Sequence, residues 1–189
     1  NYSITEADFG VYQTDALLKM LSVLDNDVSI DLVKAEEKAI SLDAKDSGAK
    51  VRYMLSDLSV INTPPQLKQI PEFELLLNVD KTFVSKFISG KGALPDTESF
   101  TIVSGDNPEV VIGYSSIATN RVAVPVENQT DNTIDNISFN ANLFKDVLEA
   151  NKECEAAVLE VSSEGLARIT FNVGDYESTY YLVAVQNVN

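Results

Sequence analysis

Along this chain, stretches in which apolar and polar positions alternate give way three times to a helical rhythm. Thr14 is followed by Leu17, Leu18 and Leu21, Asp80 by Phe83, Val84, Phe87 and Ile88, and Asn140 by Leu143, Phe144, Val147 and Leu148. Apolar residues at these spacings line one face of an α-helix. Each leading residue carries a side-chain oxygen that can accept a backbone N–H left free by the first turn, so each is a predicted N-cap. The first helix is expected from Asp15 to Leu24 and the third from Ala141 to Asn151, with Gly90 placed as the glycine that ends the second.

The alternating stretches predict strands. Phe9–Tyr12 leads into the first helix, and Val28–Leu32, Ala39–Ala44 and Val51–Leu55 follow it, with a turn at Asp46-Ser47-Gly48. Asn62-Thr63-Pro64-Pro65-Gln66 is a linker, because two prolines remove two ladder donors. Beyond it, strands are expected at Phe73–Leu77, Phe100–Val103, Val110–Tyr114, Arg121–Val126, Ile134–Phe139, Ala156–Val161, Leu166–Phe171 and Ser178–Val185. The unit β-α-β-β-β is therefore stated once before the linker and twice after it. Antiparallel strands with helices on one face make the fold class α+β. Residues 1–58 are expected to hold one such half-unit and 59–72 the linker. Residues 73–189 are expected to form a complete domain of two half-units, their helices side by side on one sheet face.

Composition narrows the chemistry. The chain has 189 residues, no histidine and a formal charge of −15. Without histidine the commonest general base is missing. With a single cysteine, Cys154, zinc sites of the usual kind are excluded and no internal disulfide can form. Phosphate-binding glycine motifs, a nucleophile elbow and a calcium loop are all lacking. Acidic pairs such as Glu36-Glu37 fall between strands and read as solvated. We therefore expect no catalysis, no metal and no cofactor. No apolar run approaches the ~18 residues of a membrane helix. The opening residues lack the basic start and apolar core of a signal peptide. A reducing, cytoplasmic setting is the expectation.

An acidic chain repels nucleic acid on average, so any contact with it requires its cations to be gathered on one surface. Of the 14 basic residues, Lys19, Lys81, Lys86 and Lys145 fall on the helices, and Lys91 and Lys152 just beyond helix ends. The apolar helix stripes must face a sheet, which turns most of these lysines outward.

The order of elements resembles that of a DNA sliding clamp, specifically the type encoded by large tailed bacteriophages, and is similar to the proliferating-cell nuclear antigen fold. The resemblance lies in Phe139-Asn140-Ala141-Asn142-Leu143-Phe144-Lys145-Asp146-Val147-Leu148, Val158-Leu159-Glu160-Val161, Glu164-Gly165-Leu166-Ala167 and Tyr180-Tyr181-Leu182-Val183. Phe9 to Leu32 and the proline-bearing linker also fit. It implies a homotrimeric ring around double-stranded DNA, with helices lining the hole and sheets as the outer wall. Such a ring is placed by a clamp loader, tethers the replicative DNA polymerase and catalyses no reaction. A clamp of this type has two half-units in each of two domains. This chain shows three; the missing piece would be the first half of the first domain, before Asn1, and an incomplete gene product, a trimmed chain and a divergent short clamp all fit that pattern.

The resemblance also assigns sites. The six lysines would face DNA phosphates, contacts that position without reading sequence. The strands holding Val51, Tyr53 and Leu55, and Val122 and Val124, would pair between subunits, and Pro125 requires an edge position. Val60, Ile61, Pro64, Leu67 and Ile70 would form part of a pocket for a partner's short apolar peptide. The alternative is a non-enzymatic phage or bacterial adaptor that uses the scaffold for protein contacts only. A carboxylate hydrolase would need a cleft with two facing acids.

Overall fold

The structure, a computed structural model, describes residues 7–62, 67, 69–115 and 119–185. The chain divides between Leu67 and Lys68 into two compact units.

The first unit begins with helix α1 (Thr14–Leu21), followed by strands β1 (Ser29–Ala35), β2 (Lys38–Lys45) and β3 (Lys50–Met54). The strands form one antiparallel sheet in the order β1-β2-β3. The expected turn after β2 is present. Asp46 accepts hydrogen bonds from the backbone N–H groups of Ala49 (2.6 Å), Asp25 (2.7 Å) and Gly48 (2.8 Å). These donors, that of Asp25 foremost, hold its carboxyl below the usual range. The core here is small: Leu24, Ala44 and Val51, flanked by Met20, Leu21 and Ala49. Helix α1 buries none of its residues.

Two expectations for this unit are corrected. Thr14 is the first helical residue; the N-cap is Gln13, whose side chain makes no cap hydrogen bond. Phe9–Tyr12 forms no strand beyond a single bridge, Gly10 to Ser56, in which the Ser56 N–H meets the Gly10 carbonyl at 2.9 Å. The approach there requires glycine, because a Cβ on residue 10 would lie 2.6 Å from the Ser56 oxygen and 2.9 Å from Ile61.

The second unit repeats one pattern twice. Strand β4 (Leu75–Asp80), helix α2 (Lys81–Ala93), β5 (Ser99–Val103), β6 (Glu109–Ile112) and β7 (Val122–Pro125) form the first half-unit. Strand β8 (Ile137–Asn140), helix α3 (Ala141–Ala150), β9 (Ala156–Val161), β10 (Leu166–Val173) and β11 (Tyr176–Val183) form the second. There are two four-stranded antiparallel sheets where one was expected, ordered β11-β10-β9-β4 and β7-β6-β5-β8. The half-units exchange their first strands. Asp80 at the end of β4 lies opposite Ala156 at the start of β9, and Asn140 at the end of β8 lies opposite Ser99 at the start of β5. The segment after each last strand returns to its own half-unit's first strand: Asn78 N–H to Glu127 O (2.8 Å), Gln129 N–H to Leu76 O (2.8 Å) and Val185 N–H to Ser138 O (2.9 Å).

Both helices and both sheets share one core. Phe87 of α2 lies 5.0 Å from Phe144 of α3 and 5.3 Å from Phe100 of β5, ring centre to ring centre, and Phe144 lies 4.9 Å from Phe100. All three are fully buried. Burying such a side chain stabilises by about 1.5–3 kcal/mol, so these rings fix the two helices side by side. Gly90 does not end α2, which continues to Ala93. A Cβ on Gly90 would lie 2.9 Å from Val122, so the glycine lets β7 close against the helix.

Candidate nucleic-acid interface

The two helices of the second unit are anchored at their N-termini as expected. Asp80 accepts from the Phe83 N–H at 2.7 Å and Asn140 from the Leu143 N–H at 2.9 Å. These caps and the buried rings set the rotation of each helix. The outer face of α2 then carries Lys81, Thr82, Ser85, Lys86 and Ser89, all exposed. The outer face of α3 carries Asn142, Asp146 and Glu149.

The six lysines are not equivalent. Lys86 is exposed and has no ion-pair partner among the described residues. Lys81 is exposed, with Glu155 at 3.4 Å. Lys145 is half-exposed and pairs with Glu149 at 3.0 Å, one helical turn on. Lys152 is exposed in the turn after α3, and Lys19 on α1 in the first unit. Lys91 is the exception, being only 4% exposed. Its Nζ donates to the carbonyls of Pro95 (2.8 Å) and Leu94 (3.4 Å), closing the C-terminal end of α2. A lysine in a helix's last turn bonding the final carbonyls is a known stop device, a signal open to sequence reading.

The strands assigned to subunit joints are β3 and β7, and both are edge strands. Pro125 ends β7 on that edge, where its missing N–H breaks no ladder. Val51, Tyr53 and Val124 turn their side chains into their own units, while Leu55 and Val122 are half-buried. The Tyr53 hydroxyl donates to the Gln13 carbonyl at 3.2 Å. What these edges offer a neighbour is therefore backbone N–H and C=O. Beside the free edge of β7 runs a groove of about 560 Å³, lined by Thr82, Phe83 and Lys86 on one side and Val124 and Pro125 on the other.

The residues assigned to a peptide pocket fall on both sides of the boundary between the two units. Val60, Leu67 and Ile70 are exposed and Ile61 is half-buried beside Gly10, while Pro64 lies outside the described residues. The first unit instead has a cavity of about 500 Å³ lined by Phe9, Ile40, Met54 and Leu58, with Lys34 and Lys38 among its polar lining residues. None of the four expected residues that are described lines it. Ile40 and Met54 sit in strands whose alternation reads as ordinary sheet, so no sequence signal marked it. At its rim Asp57 accepts from the Ser59 N–H at 3.0 Å and meets Lys38 at 3.4 Å, which brings its carboxyl down to about 2.

Among the described residues, no cluster of three or more His, Cys, Asp or Glu is arranged to hold a metal ion. Among the described residues, no helix is long and apolar enough to cross a membrane.

No family model matches the chain, and no curated protein does. Among solved structures it is similar to the Proliferating Cellular Nuclear Antigen from Entamoeba histolytica, with a TM-score of 0.67 and 15% sequence identity. The match covers 90% of this chain and 69% of that one. At that identity the likeness establishes the fold: α+β with antiparallel sheets, the DNA-clamp fold.

Proposed function

We propose that the chain is a DNA sliding clamp, a non-enzymatic processivity factor that encircles duplex DNA and tethers a replicative polymerase. The observation that carries this reading is the second unit: two β-α-β-β-β half-units whose helices lie side by side, with the cations of α2 on the outward helix face. The homotrimeric ring, the clamp loader as partner and the large-phage type belong to the same proposal; the phage type rests on the stretch Phe139–Leu148 and those after it. In this reading the first unit is one half-unit of an N-terminal clamp domain. Lys81, Lys86, Lys145, Lys152 and Lys19 face the DNA, while the buried Lys91 serves the fold. The edges β3 and β7 supply the joints.

A closed ring is held by topology, so it needs little affinity. Weak attraction to phosphates lets it slide, and an acidic body weakens its hold on free DNA. The net charge of −15 fits a protein that holds DNA by enclosure. The adaptor reading draws support from α3, whose outer face sets Asp146 and Glu149 against Lys145. One experiment separates the two: assemble the full-length protein with loader and ATP on nicked circular DNA, then linearise it. A clamp stays on the circle through gel filtration and runs off the cut ends. Equal loss from both forms rejects encirclement.

A further inference from the structure

Helix α2 stands apart from the rest of the chain in its charge. The sequence holds 29 acidic residues, yet none falls within this helix. Asp80, just before it, is turned onto the Phe83 N–H as the cap. The outward face reads Lys81, Thr82, Ser85, Lys86, Ser89 and Gly92, all exposed. A serine or threonine inside a helix often bonds back to the carbonyl four residues before it. The hydroxyls of Thr82, Ser85 and Ser89 make no such bond, and among the described residues they have no other partner. Helix stability does not account for them, since each is a weaker helix former than alanine or lysine. Packing does not account for Gly92, because a Cβ there would meet no neighbouring group within 4 Å. The outward face of α3 differs in kind: Asp146 and Glu149 lie on it, and Glu149 holds Lys145 at 3.0 Å.

We propose that Thr82, Ser85 and Ser89 are phosphate-binding residues, whose hydroxyls donate hydrogen bonds to successive phosphates of one strand of duplex DNA beside the charges of Lys81 and Lys86. This deepens the clamp reading and rests on it. The three residues occupy successive turns. At about 1.5 Å per residue they span about 10 Å. One strand advances about 3.4 Å per phosphate along the duplex, so the row serves two or three neighbouring phosphates. A hydroxyl is short, and its donor reaches a phosphate only where the strand comes close. The missing side chain at Gly92 and the lack of any acidic group on α2 permit that approach. Phosphate oxygens only accept, and this face only lacks acceptors of its own to satisfy; the carboxylates on α3 repel the same strand. Lysines and hydroxyls then have separate effects. A lysine contact releases a counterion and steepens the salt dependence, whereas a neutral hydroxyl contact adds affinity without steepening it.

The test is fluorescence anisotropy of the 189-residue chain on a labelled duplex, between roughly 50 and 200 mM salt. The triple change Thr82→Val, Ser85→Ala and Ser89→Ala should weaken binding about tenfold at every salt concentration and leave the slope unchanged. Lys86→Ala, by contrast, lowers the slope. Alanine is a better helix former than serine, so the triple variant should melt no lower than the parent. Ser85→Thr with Ser89→Thr keeps both hydroxyls and should keep the affinity. A triple variant that binds as the parent does, one that changes the slope, or a threonine pair that loses as much as the triple variant overturns the proposal, while a lowered slope in Lys86→Ala still upholds the clamp reading. If Lys86→Ala also leaves binding untouched, both fall.

Discussion

Replacing single lysines should separate those that face DNA from the one that serves the fold. In polyelectrolyte binding, each phosphate neutralised adds about 0.9 to the slope of log affinity against log salt. Between roughly 50 and 200 mM salt, one contact therefore amounts to about a 3.5-fold change in affinity. Lys86 is exposed and unpaired among the described residues, so Lys86→Ala should lower the slope by about 0.9. Lys81 faces Glu155 at 3.4 Å, but both are exposed, and such a pair is too weak to hold the lysine from a phosphate. Its removal should cost nearly as much slope. Lys145 is closer to its partner, 3.0 Å from Glu149 and flanked by Asp146, so it should contribute less. Lys91→Ala should leave the slope unchanged. It removes the donor from two carbonyls at the end of α2 and should cost roughly 1–3 kcal/mol of stability. The assay is fluorescence anisotropy on a labelled duplex across the salt range, with a thermal melt of each variant. If Lys91→Ala lowers the slope as far as Lys86→Ala does, or if Lys81→Ala and Lys86→Ala leave it flat, the assignment of the helix face is wrong.

Phe87→Ala should destabilise the second unit by about 3–5 kcal/mol, because a fully buried ring joining both helices and β5 is lost; a urea midpoint shift equivalent to under about 1 kcal/mol would contradict a shared core. Leu18→Ala, on the exposed side of α1, should stay within about 0.5 kcal/mol in the monomer. Asp80→Ala and Asn140→Ala should each cost about 1 kcal/mol by uncapping α2 and α3, read by chemical denaturation. The Asp57 carboxyl is lowered from 3.8 to about 2 when folded, so its contribution is fully present above pH 3.8 and is lost as pH falls through about 2; an NMR titration with a midpoint near 3.8 would refute the cap.

Much of the fold was legible because a strand with one buried face must alternate. Leu75, Leu77 and Val79 are buried while Leu76 and Asn78 are not, and the same holds for Leu159 and Val161 in β9. Caps were legible where the side chain reaches the backbone, as at Asp80 and Asn140. At the first helix the apolar spacing after Thr14 suggested a cap one residue late, and the true cap, Gln13, makes no side-chain bond that a pattern could reveal. One misreading produced another at α2. Glycine's usual place after a helix marked Gly90 as the stop, but packing against Val122 outweighs that local preference. Lys91 was thereby placed outside the helix, when it is in its last turn and bent onto the carbonyls. Strand partners were not legible at all. Periodicity reports which face a residue takes and is silent about whose edge it joins, so the exchange of β4 and β8 and the resulting pair of sheets were invisible. The same limit hid the first unit's cavity, since a cavity is made by neighbours distant in sequence.

Residues 9–12 show this limit from the other side. A strand needs a side-chain pattern and an edge to join, and isolated extended segments are not stable without the second. The pattern is present: Phe9, Val11 and Tyr12 precede a helix just as Leu77 and Val79 precede α2. In the second unit the corresponding segments become strands because the opposite half-unit presents β9 or β5 to them. In the first unit the segment keeps only the bridge from Gly10 to Ser56, which its own half-unit supplies. Strand formation here is therefore conditional on a partner edge. Amide exchange offers a local readout: Val11 and Tyr12, outside any strand ladder, should exchange fast, while Asn78, whose N–H meets the Glu127 carbonyl at 2.8 Å, should exchange slowly.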